Sequence, residues 1–163
     1  MATAAPARTV PDLSFLLAHG SYVLTTRMTA ALAEIGLTPR GFCVLMHAEP
    51  GDLTQIELAG LVDLDKTTMV VTVDELEAAG YAIRVPAPAD RRARLVTLTD
   101  AGRKIMAEGR KIVDQVHGEV LGSLPATQRA AFTDALTALV DGILATPVES
   151  ERQVRRARQP TRP

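Results

Sequence analysis

Apolar residues recur every three or four positions along 12–35, where Leu13, Leu17, Gly20, Leu24, Met28, Ala31 and Ile35 share one face and Leu16, Val23 and Ala30 flank it. That period predicts a helix whose apolar stripe needs a partner. Gly36 ends the pattern, and Thr38-Pro39 opens a second helix over 39–47 with an N-cap residue and a proline at the first helical position. Glu49-Pro50-Gly51-Asp52 reads as a turn. Thr54-Gln55-Ile56-Glu57 then fits a capping box, in which threonine and glutamate each satisfy the other's backbone donor, and a third helix over 55–62 follows. Only Asp63 and Leu64 separate it from the next helical run, the tight turn that a helix-turn-helix requires.

That next run carries Met69, Val73 and Leu76 at helical spacing and stops at Gly80, a residue suited to a left-handed end. Asp65 can cap its start, which places Lys66, Thr67 and Thr68 on the exposed first turn. Recognition helices present that end to the major groove. Beyond Gly80 the period falls to two: 81–85 and 95–99 are alternating, β-branched runs, and the segment between them holds Pro86, Pro88 and Asp90. The pattern predicts a hairpin whose distal end carries Arg91, Arg92 and Arg94, placed for phosphate or minor-groove contact.

Thr99 caps a long helix over 100–121 with Ile105, Ile112, Val116 and Val120 on one face, and Pro125 opens a last helix reaching about 145 with Phe132, Leu136, Leu139 and Ile143. The expected fold is mainly α with a small β wing, a winged helix-turn-helix flanked by N- and C-terminal dimerisation helices. Its parts are an N-terminal arm and dimerisation helix (1–36), the winged helix-turn-helix (37–99), C-terminal dimerisation helices (100–146) and a flexible basic tail (147–163). The outer stripes exceed what a three-helix reader can cover, so they are expected to pack together and across a twofold onto a second copy.

Composition changes this picture little. The 18 Lys and Arg nearly balance the 19 Asp and Glu, giving a net charge of −1 in 163 residues. Basic residues nevertheless gather in 84–94 and at Arg152, Arg155, Arg156, Arg158 and Arg162, and the local field rather than the total decides DNA contact. Cys43 is the only cysteine, so no intrachain disulfide can form, and among apolar neighbours its thiol is expected to be inert. His19, His47 and His117 are scattered, and no metal or cofactor is expected. The chain has no Gly-rich phosphate loop, nucleophile elbow or meaningfully spaced acid pair, which argues against an enzyme. Without a membrane-length apolar run or a signal-peptide core, the expected location is the cytoplasm.

Asp90-Arg91-Arg92, followed by Leu98-Thr99 and Gly102, resembles the wing signature of the MarR family of bacterial transcription regulators. Leu76-Glu77-Ala78-Ala79-Gly80-Tyr81 is similar to that family's helix-to-wing junction, and helix order and length are similar over 10–146. The resemblance implies a triangular homodimer joined through its termini, each subunit offering a winged helix to double-stranded DNA. It implies that Lys66, Thr67, Thr68 and Thr72 lie on or near the reading face and that Arg91, Arg92 and Arg94 serve the wing. Arg92 can instead pair with Asp90 inside the wing base, which puts more weight on Arg91 and Arg94.

This chain departs from its relatives in carrying Val70 and Val71 where threonine and arginine are common, and Glu75 where a basic residue is frequent. Both valines can be core residues, or an exposed Val71 can contact thymine methyls. The resemblance further implies a small aromatic or anionic effector in a crevice between reader and dimerisation helices, with His19, Tyr22, Arg40, Met46 and His47 as candidates by position. The expected function is a homodimeric regulator, a repressor more than an activator, on a pseudo-palindromic operator with half-sites about ten base pairs apart. The alternative is a protein-interaction module with a degenerate DNA reader, for which the valines and Glu75 speak. A winged helix serving only to dimerise an enzyme would leave no room here for the catalytic domain.

Overall fold

The structure, a computed structural model, describes residues 12–88 and 93–148. Six helices and a two-stranded antiparallel sheet follow one another as α1 (Leu13–Ala33), α2 (Pro39–Ala48), α3 (Gln55–Leu61), α4 (Lys66–Ala78), β1 (Ala82–Pro86), β2 (Arg94–Leu98), α5 (Asp100–Gly122) and α6 (Ala126–Asp141). This is a mainly helical winged helix-turn-helix with helices before and after it. The caps explain most of the helix starts. Asp12 accepts from the Phe15 N–H at 3.1 Å, Thr38 from the Gly41 N–H at 3.0 Å, and Thr54 and Glu57 close the capping box ahead of α3. Gly36, at φ +71°, turns the chain out of α1 while the Leu37 N–H bonds back to the Leu32 carbonyl.

The chain divides into two units at Glu119 and Val120. In the first, Leu32 of α1 meets Phe42, Val44 and Leu45 of α2, Leu58 of α3, Met69, Val73 and Leu76 of α4, and Val96 and Leu98 of β2 in one buried cluster. Met106 and Val113 of α5 belong to that same core. The buried stripe of α5 is Gly102, Met106, Gly109, Val113 and Val116; of the expected Ile105, Ile112, Val116 and Val120 face only Val116 is buried, Met106 and Val113 taking the places of Ile105 and Ile112 one position on. Ile105 and Ile112 are only half-buried at its margin, and Val120 is exposed. Glycine causes the offset. At Gly109 a Cβ would stand 2.8 Å from the Phe42 ring, so the bare backbone lies against α2 and sets which residues turn inward.

Between α3 and α4, Asp63 takes φ +57°, a left-handed conformation that aspartate tolerates better than branched residues do. This bend lets the Leu64 N–H bond to the Ala59 carbonyl at 2.9 Å and turns α4 across α3. The hairpin pairs Ala82 with Leu98 through Pro86 with Arg94, and a single bridge from Thr54 to Leu95 ties its second strand to the entry of α3. The hairpin is therefore held to the entry of α3 through its second strand.

In the second unit α6 has no buried residue. Phe132 and Val140 are exposed along it, and Leu139 is less so. The helix ends at Asp141 rather than near 145, because Gly142 leaves helical geometry at φ −103° and ψ −114°. Arg129 donates to the carbonyls of Leu124 and Gly122 at 3.1 and 3.2 Å, satisfying acceptors left open where α5 ends.

The closest backbone packing around the wing is at Gly102, where a Cβ would lie 1.9 Å from the Tyr81 carbonyl oxygen. Gly102→Ala should therefore lower stability by about 1–3 kcal/mol, the range for an overpacked site. Gly60→Ala, in an exposed helical position with nothing within 4 Å of the added carbon, should be neutral or stabilising by up to about 1 kcal/mol. Urea denaturation of the two variants checks this, and equal effects would remove the Tyr81 contact from the account.

Candidate nucleic-acid interface

The first turn of α4 is built by Asp65. Its carboxylate accepts the Thr68 N–H at 2.9 Å and the Thr68 hydroxyl at 2.6 Å, which fixes the turn and leaves the side chains of Lys66 and Thr67 exposed. Thr68 lies at the margin, half-buried, with its hydroxyl proton committed to Asp65. The hydrogen bonds from Thr68, the hydroxyl first and the backbone N–H second, hold the Asp65 carboxyl below its ordinary range.

Farther along α4 the expected reading face is partly corrected. Thr72 is 2% exposed and gives its hydroxyl to the Thr68 carbonyl at 2.8 Å, so it packs inward and has no atom left for DNA. Val70 and Val71 are 36% and 50% exposed. The core reading of both valines therefore fails, because the core side of α4 is already filled by Met69, Thr72, Val73 and Leu76. Glu75 is exposed as well.

Arg84 belongs by sequence to the basic stretch 84–94, but its charge is not available to a phosphate. It pairs with Asp74 at 2.7 Å and with Glu77, donates to Gln55 Oε1 at 2.9 Å, and reaches the Val70 carbonyl at 3.3 Å. Sequence reading misses this role, since opposite charges seven and ten residues away on another element give no local periodicity. At the wing, Arg94 is exposed at the start of β2 and bonds its neighbour's carbonyl, that of Ala93, at 3.2 Å. Arg91 and Arg92 fall outside the described residues. Lys66 and Arg94, far apart in sequence, line one cavity of about 300 Å³ together with Ile56, Ala59 and Met69. The reading turn and the wing thus present two cations around an apolar hollow.

The effector candidates are not drawn into one site. His19 is exposed and stacked on Phe15, with ring centroids 5.4 Å apart and planes 9° apart, and Tyr22 is exposed farther along α1. Arg40 is exposed on the first turn of α2. Met46 packs against the core, while half-buried His47 lies with Nδ1 2.9 Å from the Cys43 carbonyl, where an Nδ1–H would donate. None of the five lines the cavity beside Lys66. Burial pushes the Cys43 thiol up from its ordinary value, which disfavours the reactive thiolate. Among the described residues no group of three or more His, Cys, Asp or Glu is placed to hold a metal ion.

Comparison with known proteins supports this geometry. The MarR family model matches residues 35–93, from just after the first helix to the wing. A transcriptional regulator of the MarR family from Rhodococcus sp. RHA1 is 30% identical, with a TM-score of 0.72 over 78% of this chain and 91% of that one. The chain belongs to the MarR family. It is similar also to CouR from Rhodococcus jostii RHA1 bound to p-coumaroyl-CoA, at 30% identity and a TM-score of 0.70 over 85% of this chain and 96% of that one. A cysteine-to-serine mutant of MarR from E. coli complexed with operator DNA is 25% identical, with a TM-score of 0.71 over 78% and 93% of the two chains. As a MarR-family protein it is a DNA-binding transcription regulator and not an enzyme. No helix among the described residues is long and apolar enough to cross a membrane.

The caps of this MarR-family reader carry a pH signature. Glu57 is held below its ordinary range by the Thr54 backbone N–H and then the Thr54 hydroxyl, as Asp65 is by Thr68. A carboxyl whose folded pKa lies below its unfolded one contributes stability above the unfolded value and loses it as pH falls through the folded value. Asp65→Ala should therefore melt at a lower temperature than the parent at neutral pH, and the difference should shrink on acidification below pH about 4. Thermal denaturation across pH measures it; a gap that stays constant into acid would contradict the cap.

Proposed function

We propose that this MarR-family regulator is a homodimer that represses transcription by occupying a pseudo-palindromic operator, with two α4 helices in successive major grooves about ten base pairs apart. The observation that carries the reading is the shared placement of Lys66 and Arg94 around one hollow, beside exposed Thr67 and Val71 on α4. Cations there meet phosphates, and Val70 and Val71 offer methyl groups to thymine where hydrogen-bonding side chains are absent. In this reading Arg91, close to Arg94 in sequence and outside the described residues, adds a second phosphate contact. With few polar base readers, DNA shape at the wing carries more of the selectivity. The operator-bound E. coli relative supports this mode of action.

Dimerisation is supported separately by the apolar residues that each unit leaves open. Leu13, Phe15 and Leu16 are exposed on α1, and Phe132 and Val140 on α6. Stripes of that kind call for burial, and closed twofold pairing provides it. The protein acts in the cytoplasm, and a small aromatic or anionic effector releases it from DNA. The Phe15–His19 stack and Tyr22 offer aromatic surface on α1, the bound state of CouR supports an effector of acyl-thioester type in a relative, and a coupling of about 1–3 kcal/mol suffices.

Binding to duplex DNA from upstream of its own gene should weaken steeply with salt. Arg91→Ala combined with Arg94→Ala should reduce the slope of log affinity against log salt by about 1.8, the value for two lost phosphate contacts. An unchanged slope would take the wing out of the interface, and no binding at low salt would favour a protein-interaction module with a degenerate reader, for which exposed Val70, Val71 and Glu75 speak. Leu16→Glu and Val140→Glu should each shift sedimentation from dimer to monomer mass. A dimer that survives both substitutions would place the twofold contact elsewhere.

A further inference from the structure

We infer that Arg84 is a positioning residue for DNA binding, locking the wing to the recognition helix and masking the acidic side chains beside it. The inference rests on the reading of α4 and the wing as the DNA interface. Arg84 stands in β1, yet its guanidinium bonds two other elements: Gln55 Oε1 on α3 at 2.9 Å, and on α4 Asp74 at 2.7 Å, the Val70 carbonyl at 3.3 Å, and Glu77. Its backbone N–H also donates to Glu77 Oε1 at 2.7 Å, so the strand is fastened to α4 by main chain and side chain together. The side chain is only 19% exposed, against 59% for Asp74.

Two consequences follow from this geometry. The hairpin leaves the core at β1 and β2, so a fork of bonds from β1 to α3 and α4 fixes the angle at which Arg94 stands relative to Lys66. A planar guanidinium can hold several partners in fixed directions at once, whereas an ammonium at the same place is a point charge that cannot. Asp74 and Glu77 would otherwise set two carboxylates on the helix that approaches phosphate, and Arg84 offsets one of those two charges from inside the protein. One side chain therefore aligns the two DNA-contacting elements and removes a repulsive charge from between them.

Arg84→Lys and Asp74→Asn test this against wild type on the duplex that the wild-type protein selects from a random-sequence library. Affinity, hydroxyl-radical footprint and melting temperature are read for each. Arg84→Lys keeps the charge but loses the fork, and its affinity should fall about tenfold, within the coupling range of residues in one network. Protection should be lost at the outer flanks, where the wing lies, and retained in the central major-groove contacts. Asp74→Asn should lose part of the same flank protection without tightening binding, although removing an acid facing DNA would tighten it on charge alone.

Arg84→Lys binding within about twofold of wild type with an unchanged footprint would overturn the inference. So would protection lost evenly at every position, which marks a general loss of structure, or tighter binding by Asp74→Asn with the flanks intact. If Arg84→Lys does not fold, the direction of the Asp74→Asn effect alone decides. If wild type selects no duplex, the DNA-interface reading fails and the inference falls with it, whereas normal wild-type selection with unaltered variants defeats the inference alone.

Discussion

The contact on which the reader depends is the approach of α5 to the carbonyl of Tyr81. Thr99 donates its hydroxyl to the Gly80 carbonyl at 2.7 Å and its N–H to the Tyr81 carbonyl at 3.1 Å, and it accepts the Gly102 N–H at 3.0 Å. A single threonine thus joins the end of α4, the start of β1 and the first turn of α5. Gly80 supplies the left-handed exit from α4 at φ +74°, and Gly102 supplies the space. With the chain pinned at this corner, β1 can only leave alongside α4, which brings Arg84 within reach of Asp74 and Glu77.

The surface beyond that corner follows from which groups the corner has consumed. Thr72 is packed, the Thr68 hydroxyl is held by Asp65, and Arg84 is neutralised by acids of α4. What faces outward on α4 is a short tip with Lys66 and Thr67, then two valines, and farther along the acids Asp74 and Glu75. On the proposed reading, such a surface gains affinity from phosphate contacts and the wing, and discriminates bases mainly through methyl groups and groove shape. The net charge of the chain is no guide to this balance, because a sum does not say where charges stand: Arg84 is spent inside the reader while Lys66 and Arg94 are exposed.

The first unit buries one contiguous core that takes in α5 as far as Val113, so the early turns of that helix brace the reader. The second unit buries none of the residues of its helix. An isolated helix of that length is marginal in water, and α6 therefore needs an apolar partner surface. The same holds for the first half of α1, whose buried residue, Leu32, lies near its end. These are physical demands that a second copy of the chain can meet.

Helix starts, the helix-turn-helix spacing, the hairpin and the family resemblance are legible in the sequence, since caps, turn residues and the change of period from 3.6 to 2 are local properties. The last helix reads too long because a stripe through Ile143 continues past Gly142, and periodicity does not register a backbone break. Val70 and Val71 stay open because apolar residues on a short helix fit either side until the core is filled. The buried face of α5 moves because glycine contact with Phe42, a nonlocal event, sets helix rotation. Arg84 counts in the sequence only as one charge of the basic stretch 84–94, because sequence displays charge without its partner. The chain by itself determined where elements begin and what chemistry each could offer; only the tertiary structure decided which of those groups remain free to act, since burial and ion pairing depend on neighbours brought together by folding.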